Sequence, residues 1–286
     1  MPDLELNPIP RALTVAGSDS GGGAGIQADL KTFSAFGVYG ASAVTAVTAQ
    51  NTLGVTGSLA MPAALVRQQI DAVLGDIGAD AVKTGMLANA EIVRTVAAKL
   101  REHAVENLVV DPVMVATSGA RLLEEDAVDA LVRDLLPLAL VITPNVREAE
   151  ALTNRTIRSW DDVRGAAAQI VEMGARAVVV TGGDFTPTDA TAATDIWYDG
   201  HAFREFASVR VDSTSTHGTG CTFSAAIAAG IAKGLQTLDA VALAKSYVTL
   251  AIQHAYPVGH GHGPVHHFYR YWQPVGPRYK PGVAPR

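Results

Sequence analysis

Short apolar strands alternate with helical stretches of about 10–15 residues along nearly the whole chain, and this alternation limits the fold more than any other feature. Each strand-like run stops at glycine, an amide, a hydroxyl or a carboxylate. Residues 12–16 stop at Gly17, 42–49 at Gln50-Asn51, 140–143 at Pro144-Asn145, and 177–181 at Gly182-Gly183, while 81–86 and 108–113 carry Gly85 and Asp111 at their ends. Helical spacing fills the intervals, over 26–36, 62–74, 88–103, 124–136, from 146 onward, 161–173 and 238–255. Residues 196–198 and 202–203 flank Asp199-Gly200, a pair that favours a tight two-residue hairpin. The expected fold is α/β, a central mostly parallel sheet with helices on both faces and an antiparallel edge hairpin. Loops at the carboxyl ends of such strands share one edge, and the ligand site belongs there.

One of these loops carries the most chemistry. Residues 213–222 read Ser-Thr-Ser-Thr-His-Gly-Thr-Gly-Cys-Thr and open an Ala-rich helix with Phe223, Ile227 and Ile231 on one face. Glycines and hydroxyl residues cannot extend that helix backwards, so Gly218, Thr219, Gly220 and Cys221 fall at its N-terminus. Backbone N–H groups and the helix dipole there suit phosphate or a developing oxyanion. Cys221 is the only cysteine, and a helix N-terminus lowers a thiol's pKa. Two readings stay open for it, a reactive thiol and a small residue at a helix start. A cysteine phosphatase would need arginine six residues on, where this chain has Ile227.

The other loops are less specific. Residues 18–25 form a glycine-rich turn without Gly-x-Gly-x-x-Gly or a closing Lys-Ser/Thr. Asp29 and Lys31 on the following helix face either a pocket or solvent. Asp111, just past an apolar strand, is either a Mg²⁺ ligand or a cap. Glu148 is either the far half of a capping box with Asn145 or a second acid on the same metal. The histidines of 260–267 sit in a Gly/Pro turn and read as metal ligands or as structure.

Composition closes off several classes. With 48% hydrophobic and 17% charged residues, the 286-residue chain has ample core material. A net charge of −6 gives no footprint for nucleic acid or an anionic membrane. A lone cysteine excludes a disulfide framework and fits a reducing, cytoplasmic setting. No signal peptide or membrane span is expected. The expected division is an N-terminal extension over 1–11, one domain over 12–272, and a Pro-rich basic tail over 273–286 with the composition of disorder.

Taken together, the loops resemble a family. Residues 17–31 (GSDSGGGAGIQADLK), 48–52 (TAQNT), 83–87 (KTGML), 111–114 (DPVM), 143–145 (TPN), 216–222 (THGTGCT) and 259–265 (GHGHGPV) are similar to the motifs of hydroxymethylpyrimidine/phosphomethylpyrimidine kinases of thiamine biosynthesis. The resemblance spans about residues 12–268. It implies a ribokinase-like fold, ATP as co-substrate, Mg²⁺, and phosphorylation of 4-amino-5-hydroxymethyl-2-methylpyrimidine and then of its monophosphate. It also implies a homodimer. By motif, Gly17, Asp29, Gln50, Met86 and Val113 would line the pyrimidine pocket. Gly218, Thr219 and Gly220 would form the anion hole, with Cys221 as general base. Thr181, Gly183 and Thr219 would meet the nucleotide, and Asp111 and Glu148 would organise Mg²⁺. The family commonly has Lys-Gly-Gly-His where this chain has Thr181-Gly182-Gly183-Asp184, so a cation near the ATP phosphates is missing. Lys83 is one compensating candidate. Threonine at the first position also occurs in pyridoxal kinases of the wider superfamily, so pyridoxal/pyridoxine kinase is the alternative. A pyrimidine-binding protein without turnover is a third reading.

Overall fold

In the structure, a computed structural model that describes residues 9–114, 124–183, 185–187 and 191–272, the alternation becomes a nine-stranded sheet. Its strands are β1 (Arg11–Asp19), β2 (Tyr39–Asn51), β3 (Gly54–Ala60), β4 (Ala81–Thr84), β5 (Leu108–Val110), β6 (Val141–Ile142), β7 (Val178–Thr181), β8 (Ala192–Tyr198) and β9 (Phe203–Val209). They lie in the order β3-β2-β1-β4-β5-β6-β7-β8-β9. The run from β2 to β7 is parallel, and β8–β9 is the expected antiparallel edge hairpin, although its loop is the four residues 199–202, closed by Asp199 Oδ1 accepting from His201 and Ala202 N–H, rather than two. The opposite edge departs from expectation, because β3 returns antiparallel along β2. Its Gly54-Val55-Thr56-Gly57-Ser58 run has no apolar alternation to announce it. The turn is closed by Asn51, whose Oδ1 accepts from the N–H groups of Leu53 and Gly54.

The helices are α1 (Gly25–Ala35), α2 (Ala63–Ala72), α3 (Ala90–Glu102), α4 (Glu125–Ala130), α5 (Val146–Thr153), α6 (Trp160–Glu172), α7 (Thr219–Ala232) and α8 (Thr237–Gln253). Residues 131–138 continue α4 through widened and then tightened turns, so the stripe expected over 124–136 is not one regular helix. The sheet separates two cores. Helices α2 to α6 pack with Leu13, Val82, Val110, Ile142 and Val178 on one face. Helices α1, α7 and α8 pack with Ala12, Ala81, Val109, Val141 and Val179 on the other.

That alternation of period two decides where the chemistry lies. Lys83 shares its face with Ala81, so it points at α1 and α7. Asp111 follows Val109 in the same parity. Helix α7 is caught between the sheet, α1 and α8, and Thr222 to Ile231 are all buried. Small residues let it approach, and burying Ile227 alone is worth about 1.5–3 kcal/mol. The tail expected over 273–286 lies outside the described residues, as do most of the extension (1–8) and Asp184.

Candidate active site

A lysine in the otherwise apolar strand β4 needs an anion beside it. Lys83 is wholly buried, and its Nζ lies 3.0 and 3.1 Å from the Asp29 carboxylate oxygens and 3.6 Å from Asp111. Thr14 donates to Asp29 at 2.6 Å, and Ser224 donates to Asp111 at 3.0 Å. Gly85 leaves the room, since an added Cβ would press on Nζ. Burial opposes the ammonium, but Asp29 and then Asp111 hold Lys83 above the usual lysine range. Burial lifts Asp29 and Asp111, each opposed by Lys83.

The first turn of α7 closes over this cluster. Gly218 precedes it in the left-handed region, φ 78°, and an added Cβ would overlap the Gly23 carbonyl. Thr219 sends both its N–H (3.2 Å) and its hydroxyl (2.6 Å) to the Thr216 carbonyl. The donors facing outward are therefore those of Gly220, which is exposed, and Cys221, whose N–H groups have no intrahelical acceptor. The thiol departs from the expectation of a lowered pKa. Burial pushes it up to about 12, and Asp111 and Asp29 add to this against Lys83 and the Gly25 N–H. The sulfur stands near Asp111, whose carboxyl it helps to lower. Cys221 thus rests as a thiol beside a carboxylate.

Two acids meet beyond β5 and β6. Asn145 and Glu148 form the capping box of α5, each bonded at 2.9 Å to the other's backbone N–H. The same Glu148 is buried, and its Oε1 accepts from Met114 N–H at 3.5 Å. Burial and then the Asp111 charge push it up to about 8, against the N–H groups of Asn145 and Met114. Cap and paired acid are one residue here. Two buried carboxyls, one of them raised by the charge of the other, fit a divalent cation, and magnesium commonly takes one or two carboxylates together with water and phosphate.

The glycine-rich loop folds around Asp19, whose carboxylate accepts from the N–H groups of Gly21 (2.8 Å), Gly23 (3.1 Å) and Ala24 (2.8 Å). His217 Nε2 lies 2.9 Å from the same carboxylate, which joins this loop to the α7 turn. Burial would raise Asp19, but His217 and the Ala24 and Gly21 N–H groups outweigh it and hold it below the ordinary value. Lys31 is not a solvated residue: its Nζ donates to the Gly22 carbonyl at 2.7 Å.

At the far end, Thr181 N–H donates to the Pro144 carbonyl at 2.8 Å. Gly182 N–H donates to Asp195 at 3.2 Å, and Lys245 of α8 holds Asp195 at 2.9 Å. Arg210 donates to the Gly183 carbonyl. Lys83 does not reach this end, because β5 and β6 lie between β4 and β7, a span of about 14 Å. Two cations reach the Thr181 turn among the described residues, Lys245 through Asp195 and Arg210 through the Gly183 carbonyl.

The structure brings Asp29, Asp111 and Cys221 around Lys83, with Glu148 beyond Asp111. Gly17 packs on Met86, whose Sδ an added Cβ would touch, and Gln50 lies 3.4 Å from His217. Val113 is tied to the Asp111 carbonyl through its N–H, at 2.8 Å. Asp29 is engaged wholly by Lys83 and Thr14 rather than lining an open pocket. Sequence reasoning missed Asp19, Ser224, Asp195 and Lys245. A signal existed for the last two, since Asp195 interrupts an apolar strand and Lys245 an apolar helix. The histidines of 260–267 form no metal cluster among the described residues. His267 bonds Thr222 at 3.0 Å, and burial takes it down to about 3.

A family model described as phosphomethylpyrimidine kinase matches residues 19–266. The chain is 52% identical over 262 residues to the thiamine biosynthesis bifunctional protein ThiED of Geobacter sulfurreducens, covering 91% of this chain but 53% of that protein. It thus spans about half of that relative. It is 51% identical over 265 residues to the hydroxymethylpyrimidine/phosphomethylpyrimidine kinase of Rhizobium meliloti, covering 92% and 98%. Among solved structures, pyridoxal kinase from Staphylococcus aureus in complex with ADP superposes with a TM-score of 0.86 at 35% identity, covering 93% of this chain and 96% of that one. Phosphomethylpyrimidine kinase from Clostridium difficile gives 0.75 at 42% identity, covering 85% and 99%.

Proposed function

We propose, from the premise that this chain belongs to the phosphomethylpyrimidine kinase family, that it phosphorylates 4-amino-5-hydroxymethyl-2-methylpyrimidine with ATP and then phosphorylates the monophosphate. The observation that carries this reading is the α7 turn, where the Gly220 and Cys221 N–H groups stand beside a thiol that neighbours Asp111 and the buried Lys83. Such a turn suits a phosphoryl group in flight, and the thiol suits an alcohol that must lose a proton.

In the first transfer the alcohol oxygen bonds to the γ-phosphorus as the bond to ADP breaks. The alcohol proton passes to Cys221 Sγ while the thiol proton passes to Asp111. A thiol held near 12 acts as a relay in this scheme, not as a standing thiolate. Gly218 shapes the turn, and Thr219 braces it through Thr216. Gly17, Gln50, Met86 and Val113 contact the ring, while Asp29 acts through Lys83. Thr181, Gly183 and Thr219 take the nucleotide, with Lys245 and Arg210 supplying positive charge behind them. Asp111 and Glu148 would organise Mg²⁺ through water, leaving an Asp111 oxygen for the thiol proton, and the ion would neutralise phosphate charge when bound.

The kinase unit in this reading is residues 12–272, working in the cytoplasm as a homodimer. Among the described residues no helix is long and apolar enough to cross a membrane. Leu53 and Leu59 stand 70% and 69% exposed at the β2–β3 edge, with Leu59 paired to the exposed Val47, and they favour a second copy there. Sedimentation of Leu59→Glu against the parent chain tests it, and identical values would refute the dimer.

The pyridoxal kinase superposition favours a second reading, turnover of pyridoxal. ATP consumption with the pyrimidine alcohol, its monophosphate and pyridoxal offered separately decides between them, with products identified by mass. Phosphorylation of both pyrimidines supports the first reading. Turnover of pyridoxal alone replaces it, and silence on all three leaves a binding protein.

A further inference from the structure

Asp195 stands where packing alone would ask for an aliphatic side chain. It shares the parity of Trp197 on β8, so it points at α8, and it is 3% exposed. In register it lies opposite Thr181, the first residue of the turn that takes the nucleotide in the reading above. Its two oxygens are divided between two tasks. Oδ1 accepts from the Gly182 N–H at 3.2 Å, and Oδ2 accepts from the Lys245 ammonium at 2.9 Å. A buried carboxylate is costly unless it is paired and hydrogen-bonded, and this one is both. The rest of Gly182 is pinned as well. Its carbonyl accepts from Phe185 N–H at 3.0 Å, and an added Cβ would overlap the Thr194 carbonyl and press on the Trp160 ring. Gly183 differs: it is exposed, and a Cβ there would meet nothing within 4 Å among the described residues. The turn is gripped at Gly182 and open at Gly183.

We propose that Asp195 and Lys245 are positioning residues for the nucleotide. Asp195 fixes the plane of the Gly182 peptide, and with it the open side that the Thr181–Gly183 turn presents to phosphate. Lys245 cancels a carboxylate charge that would otherwise repel the same phosphate. Neither side chain touches the ligand in this scheme, and the proposal rests on the kinase reading above. The pair also ties β8 to α8, and a purely structural role of that kind would weaken every ligand alike.

The probes are equilibrium binding of ADP and, separately, of the pyrimidine alcohol to the full chain. Lys245→Met should raise the Kd for ADP about ten-fold more than the Kd for the alcohol, and Lys245→Arg should bring the two back to within about two-fold of the parent. An equal rise for both ligands, or no rise for ADP, overturns the proposal. Amide hydrogen exchange of the unsubstituted chain gives a readout that needs neither turnover nor a folded variant. The Gly182 N–H should exchange at least about ten-fold more slowly than the exposed Gly183 N–H, and equal rates would remove the grip on which the proposal depends. A parent chain that binds ADP but phosphorylates no pyrimidine refutes the kinase reading, while the two affinities still judge Asp195 and Lys245.

Discussion

Two lysines in this molecule stand between two carboxylates, and they differ mainly in what surrounds them. Lys83 lies 3.0 Å from Asp29 and 3.6 Å from Asp111, inside the sheet–helix interface. Lys99 lies 2.6 Å from both Asp71 and Glu102 on α2 and α3, with His103 2.8 Å from Asp71. Distance alone would rank the second cluster as stronger. Yet the Asp71 and Glu102 side chains are 40% and 64% exposed, and water and salt screen them. Lys83 and Asp29 are wholly desolvated, so each depends on the other. The acid–histidine group with the geometry of a metal site, Asp71, Glu102 and His103, already has its cation in the Lys99 ammonium. Chemistry sits with the cluster that solvent cannot reach.

The largest effect tests that contrast directly. Lys83→Met leaves two buried carboxylates unpaired, and denaturant unfolding should show a loss of about 3–5 kcal/mol. Adding Asp29→Leu should return a good part of it, because a buried pair is worth less than the penalty of breaking it. If Lys83→Met is as mild as Lys99→Met, the distinction between the clusters is wrong.

Next in size is the acid beyond Asp111. The folded Glu148 carboxyl is raised to about 8 against an ordinary value of 4.5, so the native state binds the extra proton. Its contribution is present in full below the unfolded value and is lost as pH rises through the folded one. Without magnesium, stability measured by urea unfolding should decline by a few kcal/mol between about pH 5 and pH 8. Glu148→Gln should flatten that slope, and an equal slope in the variant would remove Glu148 as its cause.

A smaller and more selective effect belongs to Cys221. The alcohol of the first acceptor carries a proton, whereas a phosphate monoester is mostly dianionic near neutral pH. Cys221→Ala should slow the first phosphorylation about 100-fold and the second less than about 10-fold, read in single-turnover assays of each step. Equal losses would make the sulfur a spacer at the helix start rather than a proton relay.

How much of this was legible follows from where each signal lives. The β5 and β6 strands, the Asp199-Gly200 hairpin and the α7 turn were readable because local pattern decides them. Strand β3 was not, since its pairing depends on Asn51 closing a turn and on β2 being there to receive it. The face of Lys83 follows from strand parity, but its partner on α1 is 54 residues away and appears only when the sheet closes. The thiol shows the same limit. A helix N-terminus lowers a pKa locally, and burial beside Asp111 reversed the sign. Asp19 and His217 are 198 residues apart, and each looks like ordinary loop polarity until the two loops touch.

The smallest expected effect completes the contrast. The hydrogen bond from Lys99, then that of His103, holds Asp71 below the ordinary carboxylate value. A depressed acid stabilises above its unfolded pKa, and that stabilisation is lost as pH falls through the folded value. At neutral pH the cluster is therefore fully formed, yet Lys99→Met should shift the melting temperature only slightly, because long side chains lose entropy to hold one geometry and solvent screens the charges. What shift there is should shrink in high salt, whereas the Lys83→Met deficit should not, since counterions do not enter the sheet–helix interface. A Lys99→Met deficit that is large and indifferent to salt would mean that the lysine stem packed between α2 and α3, and not its charge, carries the contact.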